Sequence, residues 1–307
     1  MKPVVFIHTN AKQLLGAKVS EHSLRRNSSR PDSFEVRYIN VEEQPALHNR
    51  HGQGYLRKGK LITWDNEDLQ SFTPTRFLAP QLMNYEGRSL VIDPDVFAVG
   101  DVWELLSRDM QGKAVVCRQV SPADGRPPYY ATSVMLLDCA KLRHWDWERD
   151  IQRMFDRQLD YYDWMNLYTE PAETIGSLEE EWNHFDILNE RTKLLHNTGR
   201  MTQPWKTGLT IDFVAHDKGP AQPPAAPKLL GVIPRWWAAQ PKHEPKAAGV
   251  YQPHPDKRQE EFFFGLVREC LEQGIIDEEF VRREMDQGHV RRDALEVVEA
   301  LSPAAAR

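Results

Sequence analysis

The chain has 307 residues and a mass of 35.6 kDa, a size that predicts one large domain or one domain with a small appendage. Hydrophobic residues make up 40% and charged residues 27% of the sequence, which excludes a collagen, a coiled coil and a wholly disordered chain. The formal net charge of −6 argues against a nucleic-acid-binding protein that acts through a basic surface.

Membrane-spanning and disulfide-bonded classes are also disfavoured. No run of about 18 apolar residues occurs, so no transmembrane segment is predicted, although peripheral contact with a membrane stays open. The apolar run at the N terminus is too short for a signal peptide, which predicts a cytoplasmic protein. The three cysteines, Cys117, Cys139 and Cys270, are widely spaced and indicate reduced thiols rather than a zinc framework. The sequence gives no indication of the oligomeric state.

Strands and helices alternate through the first two hundred residues. Strands are predicted at residues 3–8, 34–39, 89–92, 113–117 and 132–137, and a short strand or turn at 193–196. Helices are predicted at residues 14–24, at 102–106 after the capping residue Asp101, and over the long stretch 143–168. This alternation predicts an α/β layered sheet.

The composition changes near residue 217. Residues 217–255 are rich in Pro and Ala and are predicted to form an extended linker or docking arm. We interpret an apolar island at 229–237, which contains Trp236 and Trp237, as a tether rather than a lid. Residues 256–307 are predicted to form a helical appendage, since Asp256 begins a capping-box pattern and apolar residues follow at helical spacing. The predicted divisions are therefore 1–216, 217–255 and 256–307.

Two carboxylates follow the predicted strand at 89–92 directly, in the sequence Asp93-Pro94-Asp95. Open α/β sheets bind ligands at the carboxyl edge of their strands, which is where these side chains are expected. Neighbouring carboxylates repel each other unless a cation lies between them. Oxygen ligands select Mg²⁺ or Mn²⁺, and such ions also bind substrate phosphates. A polar turn without a ligand is the alternative, because Asp and Pro are common turn residues.

A second candidate segment is LLHNTGRMTQPWKTG at residues 194–208. His196 follows an apolar run, so it is expected at a sheet edge as a nitrogen ligand. Gly199 would let backbone amides approach a phosphate, and Lys206 would pair with its charge. A half-buried histidine without a ligand and a solvated lysine are the alternatives. No glycine-rich phosphate loop is present, so other groups must hold any nucleotide phosphates.

Together the two segments resemble the GT-A-fold nucleotide-diphosphate-sugar transferases, closest to glycosyltransferase family 8, over roughly residues 3–208. In that family an Asp-x-Asp motif ends a strand, and the histidine of an H-x-x-G-x-x-K-P-W segment completes the metal site. Asp93, Asp95 and His196 match these positions. The resemblance therefore implies that these three residues are the metal ligands. It also implies that Pro94, between the two aspartates, contacts the nucleotide-sugar donor.

The match in the second segment has a departure. Pro-Trp stands one residue later than in the family, and Gln203 precedes it in place of the usual lysine. The resemblance therefore leaves two candidates for the contact with the diphosphate, Lys206 and Arg200.

Further residues are assigned by the same resemblance. Arg76 matches an arginine near the donor, with a surface helix arginine as the alternative. His8, Thr9 and Asn10 follow the first strand, where the family contacts the nucleoside. Ser133 lies in a segment, ATSVM, that resembles the lining of the sugar pocket, with a plain core strand as the alternative.

Two more segments resemble the family less closely. The sequence YYDWMN at 161–166 resembles a D-Q-x-x-x-N segment that faces the transferred sugar, but Tyr161 and Tyr162 replace its first two residues and Asp163 stands two places later. Trp182 belongs to an E-W-N turn that Asp186 follows, and this tryptophan is either a core residue or a platform for the acceptor.

The resemblance implies a Rossmann-like GT-A fold, a mixed sheet flanked by helices with a small C-terminal helical appendage. It implies a hexosyltransferase-type glycosyltransferase (EC 2.4) that uses Mn²⁺ or Mg²⁺ and a nucleotide-sugar donor, with uracil as the expected base. The acceptor would be a hydroxyl of a glycan, a lipid-linked sugar or a protein, and transfer would proceed with retention. Asp163 would orient the sugar, and Lys206 or Arg200 would stabilise the departing diphosphate.

Two other functions are alternatives for the same residues. The first is a sugar-nucleotide-binding or scaffold protein that has lost turnover and uses its helical tail for interactions, which the Tyr161–Tyr162 departure favours. The second is a phosphohydrolase or nucleotidyltransferase that uses the same carboxylates. The sequence shows neither the further acidic ligands nor the lysine-containing glycine loop typical of those enzymes.

Overall fold

The computed structural model describes residues 1–122, 127–215, 228–229, 233–234 and 241–301. Its strands are β1 (Val4–Thr9), β2 (Glu35–Asn40), β3 (Gly54–Arg57), β4 (Lys60–Thr63), β5 (Arg88–Ile92), β6 (Val96–Ala98), β7 (Val115–Val120), β8 (Tyr129–Asp138), β9 (Ile175–Ser177), β10 (His184–Phe185), β11 (Leu194–His196), β12 (Lys228–Leu229) and β13 (Ile233–Pro234). Its α-helices are α1 (Leu14–Arg26), α2 (Pro45–His48), α3 (Ala79–Leu82), α4 (Val102–Leu106), α5 (Trp147–Phe155), α6 (Tyr161–Met165), α7 (Lys257–Glu272), α8 (Glu278–Asp286) and α9 (Ala294–Ala300).

The central sheet is mixed. Its strand order is β2-β1-β5-β8-β7-β9, with β1 parallel to β2 and β5, and with β8 antiparallel to both β5 and β7. A smaller sheet has the order β10-β11-β6, and β3 pairs with β4 in a hairpin. This mixed sheet, with helices beside it and a helical C-terminal part, confirms the predicted fold class. None of the helices among the described residues is long and apolar enough to cross a bilayer.

Both faces of the central sheet are covered. Along β1, Val4 and Phe6 pack into one buried cluster, whereas Val5 and Ile7 pack into another on the opposite face, because successive side chains of a strand point in opposite directions. A strand that is buried on both faces reads as a continuous apolar run, which is why the sequence predicted β1 and β5. Strand β5 leads directly to the candidate site, because Asp93 follows its last residue.

The single helix predicted over residues 143–168 is wrong. Two short helices, α5 and α6, occupy this stretch. Arg157, between them, has a φ of +64°, a left-handed conformation that cannot continue a helix. Asp146 caps α5 by accepting a hydrogen bond from the Arg149 N–H, and Asp160 caps α6 by accepting one from the Tyr162 N–H.

The first two C-terminal helices begin at capping aspartates, the first of them at Asp256 as predicted. The Asp256 side chain accepts from the Arg258 N–H at the start of α7, and Asp277 accepts from the Phe280 N–H at the start of α8. Gly274 follows α7 with a φ of +68°, the left-handed conformation in which glycine ends helices.

Helix α7 packs directly on the main sheet's helix α1 and on the segment that carries His196. Phe263 lies with its ring centroid 4.6 Å from that of Trp205 and 5.3 Å from that of Phe97. These rings belong to one buried cluster that also contains Leu15 of α1. The helical tail therefore shares a hydrophobic core with the site segment.

Part of the predicted linker lies along the main domain. Residues 241–255 form isolated bridges that pair Lys242 with Ile62 and Val250 with Thr210. Tyr251 is buried, and its hydroxyl donates to Asp212 Oδ1 over 2.5 Å. This portion is extended and docked, while Trp236 and Trp237 lie outside the described residues.

Candidate functional site

Two neighbouring pieces of backbone bring three candidate ligands together. Asp93 and Asp95 form the turn between β5 and β6, and β11 runs antiparallel to β6 with His196 opposite Val96. This pairing places the imidazole next to the turn. Potential ligand atoms of Asp93, Asp95 and His196 all lie within 4.8 Å of one another, close enough for one ion to contact all three residues.

His196 is oriented by a buried amide. Its Nδ1 lies 2.8 Å from Asn183 Oδ1, and Asn183 Nδ2 donates to Ser133 Oγ over 3.0 Å. Because an amide oxygen can only accept, His196 Nδ1 carries the hydrogen of this bond and Nε2 faces Asp95, 3.3 Å from its Oδ1. A ligand histidine is commonly fixed through its other nitrogen in this way.

Asp93 is held in place by Arg76 and His8. Arg76 Nε donates to its Oδ1 over 3.0 Å, a second Arg76 nitrogen donates to its Oδ2, and His8 Nε2 lies 2.6 Å from its Oδ1. Burial alone raises the pKa of Asp93, but Arg76 and then His8 outweigh it, so the net pKa is well below the ordinary value. Asp93 is therefore a fixed, ionised carboxylate.

The donor set fits a hard divalent cation. Asp95 Oδ2 accepts from Gln203 Nε2 over 3.0 Å, but its Oδ1 is buried and accepts no hydrogen bond from the described residues. Burial alone lowers the pKa of His196, yet Asp95 outweighs it and the net shift is upward. These groups thus favour a positive charge between them, which a divalent ion would supply in place of a proton.

The three candidate ligands open into a cleft of about 350 Å³. Most other lining residues carry hydrogen-bonding groups or aromatic rings. They include the arginines Arg57, Arg76 and Arg200, the rings Phe72, Tyr129, Tyr130, Tyr161, Tyr162 and Phe185, and the polar residues Gln13, Gln70, Thr73, Thr132, Ser133, Asn166, Thr198 and Gln203. Such a surface suits a polar, charged ligand better than a lipid tail.

The predicted nucleoside contacts do not line this cleft. His8 is fully buried behind Asp93. Thr9 Oγ1 donates to the Asn10 carbonyl over 3.1 Å, and Asn10 Nδ2 donates to the Leu69 carbonyl over 3.0 Å. All three side chains are buried and form hydrogen bonds with other groups of the protein. Arg76 and Ser133, in contrast, line the cleft.

Lys206 is also outside the cleft. Its side chain is fully buried, and its Nζ donates to Asp212 Oδ2 over 2.8 Å. Burial lowers the pKa of Lys206, and Asp212 offsets part of that shift. Of the two candidates for the diphosphate contact, Lys206 and Arg200, only Arg200 lines the cleft.

Three further predicted positions differ from expectation. The Gly199 N–H donates to Asp186 Oδ1 over 3.1 Å, so this amide is already used. Asp163 is exposed and does not line the cleft, whereas Asn166 does. Pro94 does not line the cleft, and its carbonyl oxygen lies against α1, only 2.7 Å from where a Cβ added at Gly16 would be.

Sequence reasoning missed several contributors. Arg57 comes from the β3–β4 hairpin, which carried no motif, and Gly16 had no signal of its own. Asn183 lay inside the noted E-W-N turn, but its role depends on the distant His196. Trp182 belongs to a buried core cluster, which decides between the two readings of that residue in favour of the core.

No protein-family model matches the sequence. Among curated proteins, the chain is similar to Protein CDI of Arabidopsis thaliana, at 24% identity over 200 residues that cover 60% of this chain and 70% of the relative.

Several solved structures are similar to this one. They include glycosyltransferase GlyE of Streptococcus pneumoniae TIGR4 (TM-score 0.46, 18% identity, 66% of this chain and 56% of that chain) and the bifunctional glycosyltransferase WbbM (TM-score 0.46, 12% identity, 67% and 47%). Galactosyltransferase LgtC, solved with donor and acceptor sugar analogs, is another (TM-score 0.43, 16% identity, 66% and 89%). The chain thus spans about half the length of the GlyE and WbbM chains. These similar structures are glycosyltransferases, the class of protein that the sequence resembles.

Proposed function

We propose that this protein is a glycosyltransferase that moves a sugar from a nucleoside-diphosphate sugar to a hydroxyl group. The observation that carries this proposal is the convergence of Asp93, Asp95 and His196 at the floor of a polar cleft. Two carboxylates and an imidazole that meet at the carboxyl ends of β5 and β11 are suited to a divalent cation and a phosphorylated ligand. We further propose UDP as the nucleotide, on the strength of the sequence resemblance.

Asp93, Asp95 and His196 would hold Mn²⁺ or Mg²⁺. Bound there, the ion would supply positive charge for the departing diphosphate. The protein's own contribution is rigidity, because Arg76 and His8 hold Asp93 while Asn183 holds His196. Ligands that need no rearrangement lose no energy to reorganisation when charge develops.

Arg200 is the proposed partner of the diphosphate. It lines the cleft together with the three candidate ligands, and the structure shows Lys206 engaged elsewhere. A guanidinium can pair with phosphate oxygens through two parallel hydrogen bonds. Placed where the leaving group gains charge, such a donor is typically worth about 3 kcal/mol of transition-state stabilisation.

The proposed transfer proceeds with retention. Among the described residues, Asp93 and Asp95 are the only carboxylates that line the cleft, and both are assigned to the cation. In the part of the chain that the structure describes, no further carboxylate lines the cleft as a nucleophile or base. The acceptor hydroxyl would attack from the leaving group's own face and pass its proton to the departing phosphate.

A second candidate function is favoured by the position of Asp163. Because this residue is exposed and outside the cleft, the chain could bind a nucleotide sugar without turning it over. Release of free nucleoside diphosphate separates the two functions, since only a transferase or a slow hydrolase releases it.

The test is a screen of nucleotide sugars with Mn²⁺. Thermal shift reports binding, because a ligand stabilises the folded state in proportion to ln(1 + [L]/Kd), and a coupled assay reports released diphosphate. Asp95→Asn should abolish metal-dependent release, whereas the control Asp138→Asn, at a carboxylate paired with Lys141 away from the cleft, should keep it. Full activity of Asp95→Asn would contradict the proposal.

A further inference from the structure

The β3–β4 hairpin is fixed against the rim of the cleft. The backbone N–H groups of Lys58 and Gly59, at its tip, donate to the two carboxylate oxygens of Asp160 over 3.0 and 2.8 Å. The same carboxylate caps α6, which carries Tyr161. Tyr55 packs edge-on against Tyr161 with 5.6 Å between ring centroids. The hairpin therefore presents its side chains to the cleft from a rigid support.

Arg57 is the hairpin residue that enters the cleft. Its guanidinium lies 4.6 Å from the centroid of the Tyr161 ring, and it lines the cleft together with Arg200. Burial, and next the Arg57 charge, lower the pKa of Arg200. Among the ion pairs of the described residues, none joins either arginine to a carboxylate. Two guanidinium groups of like charge thus face one partly buried space.

The charges in the cleft do not balance with a nucleotide sugar alone. The described lining residues include three arginines and two aspartates, a surplus of one positive charge. A divalent cation and a sugar-linked diphosphate, with two negative charges, would cancel each other. Asp68 lies behind Arg57 in a separate small cavity and accepts the Val214 N–H over 3.0 Å, without lining the cleft. The charge of Asp68 acts on both Arg57 and Arg200 from outside the cleft. On the cleft side, no carboxylate of the described residues pairs with Arg57, which leaves that side of its guanidinium for an anion.

We infer that Arg57 recognises a carboxylate on a sugar bound in the cleft, so that one of the two substrates is a uronic-acid-type sugar. This inference rests on the proposed transferase function. A planar guanidinium pairs with a carboxylate through two parallel hydrogen bonds, and the contact with the Tyr161 ring holds the Arg57 guanidinium at the cleft in advance. Arg200 remains the partner of the diphosphate, beside the metal ligands.

The test measures binding to the full-length protein by calorimetry in Mn²⁺. The donor arm compares UDP-glucuronate with UDP-glucose, and UDP alone reports the nucleotide. The acceptor arm uses protein saturated with UDP and compares oligosaccharides that end in glucuronate or in glucose. Arg57→Gln removes the charge, Arg57→Lys keeps it without the planar fork, and Lys60→Gln is a matched control on the same hairpin outside the cleft.

The acidic sugar should bind about tenfold to a hundredfold more tightly than its neutral counterpart in one of the arms, as expected for a hydrogen-bonded charge pair. Arg57→Gln should abolish this preference and leave UDP affinity unchanged, Arg57→Lys should retain part of it, and Lys60→Gln should retain all of it. Equal binding of acidic and neutral sugars in both arms would overturn the inference. So would an equal loss of UDP and UDP-glucuronate affinity in Arg57→Gln, because Arg57 would then serve the diphosphate. If UDP and all nucleotide sugars fail to bind wild-type protein, the proposed function itself fails.

Discussion

Asn183→Leu tests whether His196 is held ready for a cation. The substitution removes the acceptor of the His196 Nδ1 hydrogen bond and the donor to Ser133, bonds of 2.8 and 3.0 Å. Each bond contributes about 0.5–1.5 kcal/mol, and a buried N–H left without a partner costs about 1–3 kcal/mol. We expect the free energy of unfolding to fall by about 2–4 kcal/mol. Loss of the group that orients a metal ligand should weaken Mn²⁺ affinity about 10- to 100-fold.

Electron paramagnetic resonance of free Mn²⁺, titrated into each variant, measures this affinity directly. Ser133→Ala is the matched control, because it removes only the far hydrogen bond of Asn183 and leaves the bond to His196 in place. It should lower stability by about 1 kcal/mol and keep Mn²⁺ affinity near that of the wild type. A folded Asn183→Leu protein with wild-type Mn²⁺ affinity would refute the reasoning.

Three other outcomes are expected. Arg200→Gln should weaken UDP binding at least about tenfold with little change in melting temperature. Lys206→Met should instead lower the melting temperature and leave the UDP affinity of the folded protein unchanged, because the buried ammonium pairs with Asp212 outside the cleft. Calorimetry and thermal melts decide this, and the reverse pattern would return the diphosphate contact to Lys206. Gly16→Ala should lower both the free energy of unfolding and the Mn²⁺ affinity, because its Cβ would lie 2.7 Å from the carbonyl oxygen of Pro94 in the Asp-Pro-Asp turn. Unchanged stability and Mn²⁺ affinity would show that the turn can shift without cost. At pH 8 the three buried cysteines should resist a thiol reagent until the protein is denatured. The reason is that burial raises their pKa values, that of Cys270 to about 12. Rapid labelling of the native protein would contradict the packing around these cysteines.

The parts of the site that end buried strands could be predicted from the sequence. Asp93 follows β5 and His196 ends β11, and a short apolar run that stops at polar residues is a local pattern. Their meeting follows from the pairing of β11 with β6. Asp93 and His196 could each be placed at the end of a strand from the local sequence, but only the family resemblance indicated that the two residues meet.

Residues whose roles depend on loop conformation could not be assigned in the same way. Lys206 and Arg200 lie in one segment, but the short turn Pro204–Lys206 directs the lysine inward to Asp212. Arg57 reaches the cleft only because Asp160 ties the hairpin tip to α6. The break between α5 and α6 was missed for a related reason, since a left-handed Arg157 is not signalled by a glycine.

The central claim is tested most directly by anomalous diffraction from crystals grown with Mn²⁺ and UDP, with data collected at the manganese edge. We predict one strong peak at ligand distance, about 2 Å, from Asp93, Asp95 and His196 Nε2, with the diphosphate of UDP next to it. A peak at another place, or ordered UDP in the cleft with no peak between these residues, would contradict the account.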